Sequence, residues 1–360
     1  MKAAKPLVRA EQPIKAILGL TRSHWDSDEY PYQNARAEFK KVCACRTPKM
    51  GGDLYASSEE ERIMYYTCKS RACPSCGTRA TIDWQRQLWT TLPNVPYSNV
   101  NFTIPGDFWW FFSKNRGLER DLPVLAAKVL TSWARRHHKV DVYVLVILQT
   151  FGDRLNYHPH LHVLVSAGGV DMAGVWHAIS FDHRELMPLW RRAILEYLAS
   201  ACDSTRCLVK DCAPSADLLD YWAGEWWNVW VRNVSKAWFL RYAGRYLRRL
   251  PKMQSAIVCY DASFVIYLAK RRRGELRQEY LVTTEEFVDL LAQHLLSHYG
   301  HAVRYFGHLA PRAKNLPERK KGPRRQSYEA RLWKHFYVRP FSDSKGNRMV
   351  WQKAVKPVHE

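Results

Sequence analysis

The sharpest pattern of apolar and polar positions lies between residues 140 and 165. The run VDVYVLVILQT (140–150) is almost continuously apolar and rich in β-branched residues, as expected of a strand buried on both faces. FGDRLN follows as a turn, NYHPHLHVLV (156–165) then alternates with period two, and SAGG closes the block, so the pair predicts a hairpin. Alternation places His158, His160 and His162 on one face and Leu161, Val163 and Val165 on the other. Pro159 sets the start of the regular strand at about His160.

Other segments follow their own periods. RELMPLWRRAILEYLASA (184–201) has the apolar spacing of a helix. SFVIYLA and QEYLV flank RRRG as a second hairpin. TTEEFVDLLAQHLLSHYG opens with Thr283 and Glu286 in capping-box spacing and stops at Gly300. WFLRYAGRYLRRL (238–250), read as a helix, brings Trp238, Tyr242, Tyr246 and Arg249 onto one face. Antiparallel hairpins mixed with helices predict an α+β fold, a central antiparallel sheet with flanking helices.

Charge adds a partner to this scaffold. Lys and Arg number 55 against 34 Asp and Glu, a formal +21, which favours a polyanion, nucleic acid before an anionic membrane. The bias is local as well: Trp226 to Tyr260 contains no acidic residue but holds Arg232, Lys236, Arg241, Arg245, Arg248, Arg249 and Lys252. No run of about 18 apolar residues predicts a membrane span. Glu11, Gln12 and Pro13 interrupt any signal-peptide core, so the chain reads as cytosolic.

The histidines and tyrosines offer chemistry. Two imidazoles two residues apart on a strand can be aimed at one divalent ion, the alternative being merely polar strand positions. Two phenols one helical turn apart can face a DNA phosphate while Arg241, Arg245, Arg248 and Arg249 hold neighbouring phosphates. The alternative is an amphipathic helix packing its aromatics into the core. FWWFF (108–112) and WAGEWWNVWV (222–231) can stack unpaired bases in a basic groove or serve as core.

Nine cysteines, an odd number in a cytosolic chain, argue for metal ligation or free thiols over a disulfide framework. Cys73 and Cys76, with Pro74 between and Gly77 after, have the knuckle spacing of a structural zinc site. Cys68 is the natural third ligand, and Cys43 or Cys45, one or both, completes the set. Cys202, Cys207 and Cys212 read as ordinary thiols or a second metal site, and Cys259 as core. Composition divides the chain into an N-terminal cysteine module (1–90), a mixed central domain (91–310) and a basic C-terminal segment (311–360), of which WKHFYVRPF is expected to fold back.

Several of these blocks resemble one family, the rolling-circle transposases of bacterial insertion sequences of the IS91 type, within the HUH nuclease superfamily. His160, Leu161 and His162 form the His–hydrophobic–His triplet. LQTFGDRLNYHPHLHVLVSAGG resembles the family's signature block, FTIPGDF its preceding strand, RYAGRYLRR its two-tyrosine segment, and CKSRACPSCG its zinc-binding region. GHAVRYFGHLAPRAK is similar as well, so the likeness runs from about residue 36 to 314. The chain departs from the family at YASSEEERIMYY (55–66), where a further cysteine pair is usual.

The resemblance implies an HUH nuclease-like catalytic domain and an N-terminal module that binds zinc and helps recognise DNA ends. It implies that His160 and His162 hold Mg²⁺ or Mn²⁺ over a phosphate of single-stranded DNA, with Gln149 or His158 as third ligand. Tyr242 and Tyr246 would attack in turn, through a 5′-phosphotyrosine link, at insertion-sequence ends. It places the protein in the bacterial cytoplasm, on the nucleoid. A plasmid replication initiator or relaxase uses the same residue types on another substrate. A zinc-containing DNA-binding regulator is the alternative from a different class.

Overall fold

The computed structural model describes residues 12–201, 207–244, 251–252, 254–270, 275–295, 300–310 and 341–358. The chain divides into two compact units, Trp84–Pro251 with Leu296–Lys320, and Met1–Asp83 with Lys252–Leu295 and Lys321–Glu360. This division by contact differs from the division by composition: residues 252–295 and the end of the chain join the N-terminal module instead of following it. Local composition carries no record of such non-local partners. Among the described residues no helix is long and apolar enough to cross a membrane.

The first unit is built on a five-stranded antiparallel sheet. Its order is Val303–Gly307, Tyr143–Phe151, Tyr157–Ser166, Tyr97–Thr103, Val229–Val234. The predicted hairpin is therefore the second and third strand, central in the sheet. On one face Val144, Val146, Leu148, Leu161, Val163 and Val165 pack with Val100, Phe102 and Trp190 into the main core. Helices Leu122–His138 and His183–Ala201 cover that face, and the second of these matches the helix read from 184–201.

The opposite face is covered over only part of its length. Leu145, Ile147 and Leu164 meet Trp84, Leu88 and Leu92 of helix Pro74–Thr91, and Phe239 and Leu240 of helix Lys236–Tyr242. Beyond Ile147 and Leu164, strand alternation continues the same face as Gln149, His162 and His160. The sheet is thus doubly buried at one end and polar at the other.

The histidine strand begins earlier than Pro159 suggested, at Tyr157. The ladder shifts register between Gln149 and Phe151, and this irregularity takes up the proline, which has no N–H to donate. Tyr157 is held from the other side. Its hydroxyl donates to Glu119 at 2.5 Å, and Arg116 Nε lies 3.1 Å from the same carboxylate oxygen.

The second unit contains helices Pro13–Leu20 and Gln33–Ala44, helix Thr284–Ala292 and two three-stranded antiparallel sheets. Asp289 gathers this unit, accepting from Tyr30 at 2.7 Å and from His24 Nε2 at 3.0 Å. Thr283 caps its helix as predicted, accepting from the Glu286 N–H at 3.1 Å, although the helix stops at Ala292, well before Gly300. The second predicted hairpin is present as Phe264–Ala269 with Gln278–Thr283. Strand Val350–Val355 returns to pair with Gly52–Ala56. Of WKHFYVRPF, all but its last residue lies outside the described residues.

Cys259 corrects an expectation. It is exposed, not core, because in the four-residue strand Ile257–Tyr260 it pairs with Ile266 on the outward face. So short an apolar run does not reveal which face is buried.

Leu161 tests how far the main core sustains the hairpin. It is fully buried between the two candidate histidines, so Leu161→Ala is expected to lower unfolding free energy by about 2–5 kcal/mol. Urea denaturation should show a reduced midpoint with little change in slope. An unchanged midpoint would contradict this packing.

Candidate active site and cysteine cluster

The polar end of the sheet concentrates the candidate residues. In the register of the ladder, His162 faces Ile147 on one side and Asn101 on the other, while His160 faces Gln149 and Thr103. His160 Nδ1 lies 2.8 Å from the His158 carbonyl oxygen, and His162 Nδ1 lies 2.8 Å from Asn101 Oδ1. Both partners accept, so each Nδ1 carries the proton and each Nε2 keeps a free lone pair. Asn99 Nδ2 donates to the same Asn101 oxygen at 3.2 Å, which fixes the orientation of that amide.

Burial keeps these rings neutral. It pushes the His160 imidazole down to about 4, with His158 adding to the effect, and holds His162 well below the ordinary value. Neutral imidazoles are the form that ligates metals. Gln149 contributes a third group: its Oε1 is buried with no hydrogen-bond partner, while its Nε2 donates to the Phe151 carbonyl at 3.2 Å. A buried acceptor without a donor is costly, and a cation between Gln149 and His160 would satisfy it.

His158 occupies a different place from its two neighbours. Its ring lies 4.6 Å from Trp109, tilted by 37°, and stacks on His160 at 4.5 Å. The line continues through His162, 4.9 Å from His160, to Tyr242, whose ring meets His162 edge-on at 5.6 Å.

Tyr242 stands at the end of helix Lys236–Tyr242, capped by Ser235, which accepts from the Trp238 N–H at 3.1 Å. The i, i+4 spacing read from the sequence is realised as a near-parallel stack of Trp238 on Tyr242, 5.1 Å apart and 12° between planes. Gly244 lets Gln85 in behind this turn. Gln85 Nε2 donates to the Leu240 carbonyl at 2.6 Å, and a Cβ at position 244 would lie 2.0 Å from that nitrogen. Arg241 is exposed on the same helix. Tyr246, Arg245, Arg248 and Arg249 lie outside the described residues.

Asn99 and Asn101 escaped the sequence reading. Their signal was the alternation of Asn99, Asn101 and Thr103 with Val100 and Phe102, which is unusual for a strand that is otherwise core.

The cysteine module forms a second centre. The sulfurs of Cys45, Cys68, Cys73 and Cys76 all lie within 4.8 Å of one another. Cys45–Cys76 and Cys68–Cys76 are 3.7 Å apart, and Cys73–Cys45 is 3.8 Å. A tetrahedron of Zn–S bonds of about 2.3 Å has edges of about 3.8 Å, so the four thiols fit one zinc ion. A disulfide would need about 2.05 Å. Hydrogen bonds from the Cys68 and Cys73 thiols bring Cys45 down to about 6, towards the thiolate.

Backbone geometry brings the knuckles together. Arg46 (φ 58) and Lys69 (φ 55), directly after Cys45 and Cys68, adopt left-handed conformations. Of Cys43 and Cys45, it is Cys45 whose sulfur lies in the cluster. Cys43 is outside the cluster, its thiol pushed up by burial. Among the described residues this is the one group of three or more His, Cys, Asp or Glu so gathered. Cys207 and Cys212 instead donate to the Val209 carbonyl, and Asn115 donates to Cys212 Sγ. Cys202 lies outside the described residues.

Elemental analysis should find one zinc per chain. Cys76→Ser is expected to lose it and melt at lower temperature, while Cys43→Ser should keep both metal and melting point. Loss of zinc from Cys43→Ser would contradict the assignment.

Comparison with known proteins covers the regions that hold both centres. A family described as "Transposase zinc-binding domain" matches residues 20–104, which hold the four cysteines, and one described as "Putative transposase" matches residues 144–317, which hold the histidine strand and Tyr242. The transposase for insertion sequence element IS801 of Pseudomonas savastanoi pv. phaseolicola is 30% identical over 339 residues, covering 88% of this chain and 82% of that protein. A protein of Sinorhizobium fredii named "Putative transposase y4qJ" is 29% identical over 289 residues, 74% of this chain and 72% of its own length. No solved structure matches. With two domain families in order along the chain and a relative matched over most of both lengths, the protein belongs to the IS91-type family of insertion-sequence transposases.

Proposed function

We propose that this transposase acts as an HUH single-strand endonuclease and strand transferase, cutting DNA at insertion-sequence ends by tyrosine attack. The observation that carries the reading is the convergence on one sheet face of two outward Nε2 lone pairs and the orphaned Gln149 oxygen, with Tyr242 against His162.

A divalent cation held by His160, His162 and Gln149 would polarise a phosphoryl oxygen and stabilise the charge that develops there. Two imidazoles and one amide oxygen suit Mn²⁺ better than Mg²⁺, which prefers all-oxygen sites. Asn101 and the His158 carbonyl keep both imidazoles in the ligating tautomer. His158 belongs to this reading as the support for His160.

Tyr242 supplies the nucleophile. Its phenol oxygen forms a bond to phosphorus while the bond from phosphorus to the 3′ oxygen breaks. The phenol gives its proton to water, and the departing 3′ oxygen takes one up from water to become the 3′-hydroxyl. The product is a 5′-phosphotyrosine, whose bond energy is kept for rejoining. Tyr246 would repeat the step on a second end. Arg241, with Arg245, Arg248 and Arg249, would hold adjoining phosphates. The zinc module, structural in this reading, would contribute to recognition of the ends. The IS801 relative favours a transposase over a replication initiator or relaxase with the same residue types.

The test uses single-stranded oligonucleotides covering candidate element ends, with Mn²⁺ or Mg²⁺. A protein–DNA adduct that survives denaturation is expected, and it should vanish in Tyr242→Phe with Tyr246→Phe and in His160→Ala with His162→Ala. Adduct formation by both double variants at the wild-type rate would defeat the reading. Asn101→Ala should raise the Mn²⁺ concentration needed for half-maximal adduct by roughly 10–100-fold. An unchanged titration would remove Asn101 from the site.

A further inference from the structure

Two residues beside the cysteine centre are not explained by metal binding. Arg46 and Lys69 stand directly after Cys45 and Cys68, both in the left-handed conformation, at φ 58° and 55°. Glycine takes that conformation freely, whereas a Cβ makes it strained.

The turns serve the sulfurs through the backbone. The Cys68 N–H donates to Cys45 Sγ at 3.5 Å, and the Lys69 N–H donates to Cys76 Sγ. Arg46 closes its own turn by donating its N–H to the Tyr66 carbonyl at 3.1 Å. Glycine at either position would make the same backbone bonds with less strain. After Cys76 the chain does use glycine, because a Cβ at Gly77 would lie 2.6 Å from the Arg71 carbonyl oxygen. The two strained positions hold long cationic side chains instead, and the backbone does not account for that choice.

Other cations of this region are used within the fold. Lys15 Nζ donates to the Cys45 carbonyl at 2.7 Å, Lys40 pairs with Asp26 at 2.7 Å, and Lys41 pairs with Glu38 at 2.7 Å. Arg46 and Lys69 are exposed, and among the described residues neither side chain makes a hydrogen bond or an ion pair. The sulfurs that they follow lie within 4.8 Å of each other, so two positive charges leave the chain next to one metal position. A pair of cations so fixed suits a partner with repeated negative charges. For a transposase with a formal charge of +21, that partner is the phosphodiester backbone of DNA.

We infer that Arg46 and Lys69 form a phosphate clamp of the zinc module, each side chain holding one backbone phosphate of the element's DNA. This rests on the reading above that the module contributes to recognition of the ends. Because the turns are built around the cysteine sulfurs, the metal centre fixes where the two charges stand. Phosphate contacts position a protein without reading bases, so the clamp sets the module's register and base choice comes from other residues.

The test follows binding of the full, zinc-loaded chain by fluorescence anisotropy over a range of salt, with no chelator and no added Mg²⁺ or Mn²⁺. The probes are a labelled duplex carrying an element end, a scrambled duplex, and the single strand of the same end. Arg46→Gly and Lys69→Gly should keep one zinc per chain by elemental analysis and melt no lower than wild type. Each should reduce the slope of log affinity against log salt by about 0.9 where the clamp holds duplex, or by about 0.7 where it holds the single strand. The scrambled duplex should show the same reduction as the element end. Arg46→Asn and Lys69→Asn, which also tolerate the turn, should repeat the result. Arg46→Lys and Lys69→Arg should restore the slope.

Glycine and asparagine variants that retain both zinc and the wild-type slope on every probe would overturn the inference. Loss of zinc from all four would also overturn it, because the side chains would then serve the metal centre. Cys76→Ser separates the clamp from the reading on which it rests. Unchanged affinity in Cys76→Ser would remove the whole module from DNA. Weakened binding there, with a wild-type slope in the glycine variants, would reject the clamp alone. None of these measurements depends on nicking.

Discussion

The register of the central hairpin is the constraint on which the proposed active site depends. Gln149 opposite His160 and Ile147 opposite His162 put the polar set on one face of the sheet and leave Leu148, Leu161 and Val163 on the other. A side chain repeat of two means that a slip of one residue would send both histidines into the core and Leu161 and Val163 to the surface. The main core therefore enforces the orientation of the histidines. Burying Leu161, Val163 and Val165 against the helices leaves only one orientation for the imidazoles. The shift of register at Gln149 completes the arrangement, because it takes up Pro159 without disturbing the pairing of His160 and His162.

From that register a chain of contacts reaches the tyrosine. Asn101 and the His158 carbonyl set the tautomers, and the aromatic row from Trp109 through the three histidines to Tyr242 and Trp238 packs each ring against the next. A row of packed rings has few soft torsions, which suits the nucleophile and metal proposed for this face. The cysteine centre is organised on a different principle. Its knuckles are held in left-handed turns, and four crowded thiols need a cation to be stable together.

Much of this was legible because it is local. The hairpin, the histidine face, the stack of Trp238 on Tyr242 and the Thr283 cap all follow from spacings of two, three or four residues. The cysteine knuckle was legible for the same reason. What the sequence withheld was non-local. Asn101 is 61 residues from His162 and could be matched to it only by the strand pairing. Cys43 lies in the last turn of helix Gln33–Ala44, while Cys45 stands just past its end, and adjacent spacing does not tell the two apart. The return of Val350–Val355 to Gly52–Ala56 has no signal in composition, and neither does the outward face of Cys259.

In the proposed site, the sheet face itself, through its register, builds the metal position beside Tyr242. Anomalous diffraction from crystals grown with Mn²⁺ and a single-stranded oligonucleotide tests this most directly. One peak is expected within coordination distance of Nε2 of His160, Nε2 of His162 and Oε1 of Gln149, on the side facing Tyr242. A peak centred on His158, or manganese bound only away from this face, would contradict it.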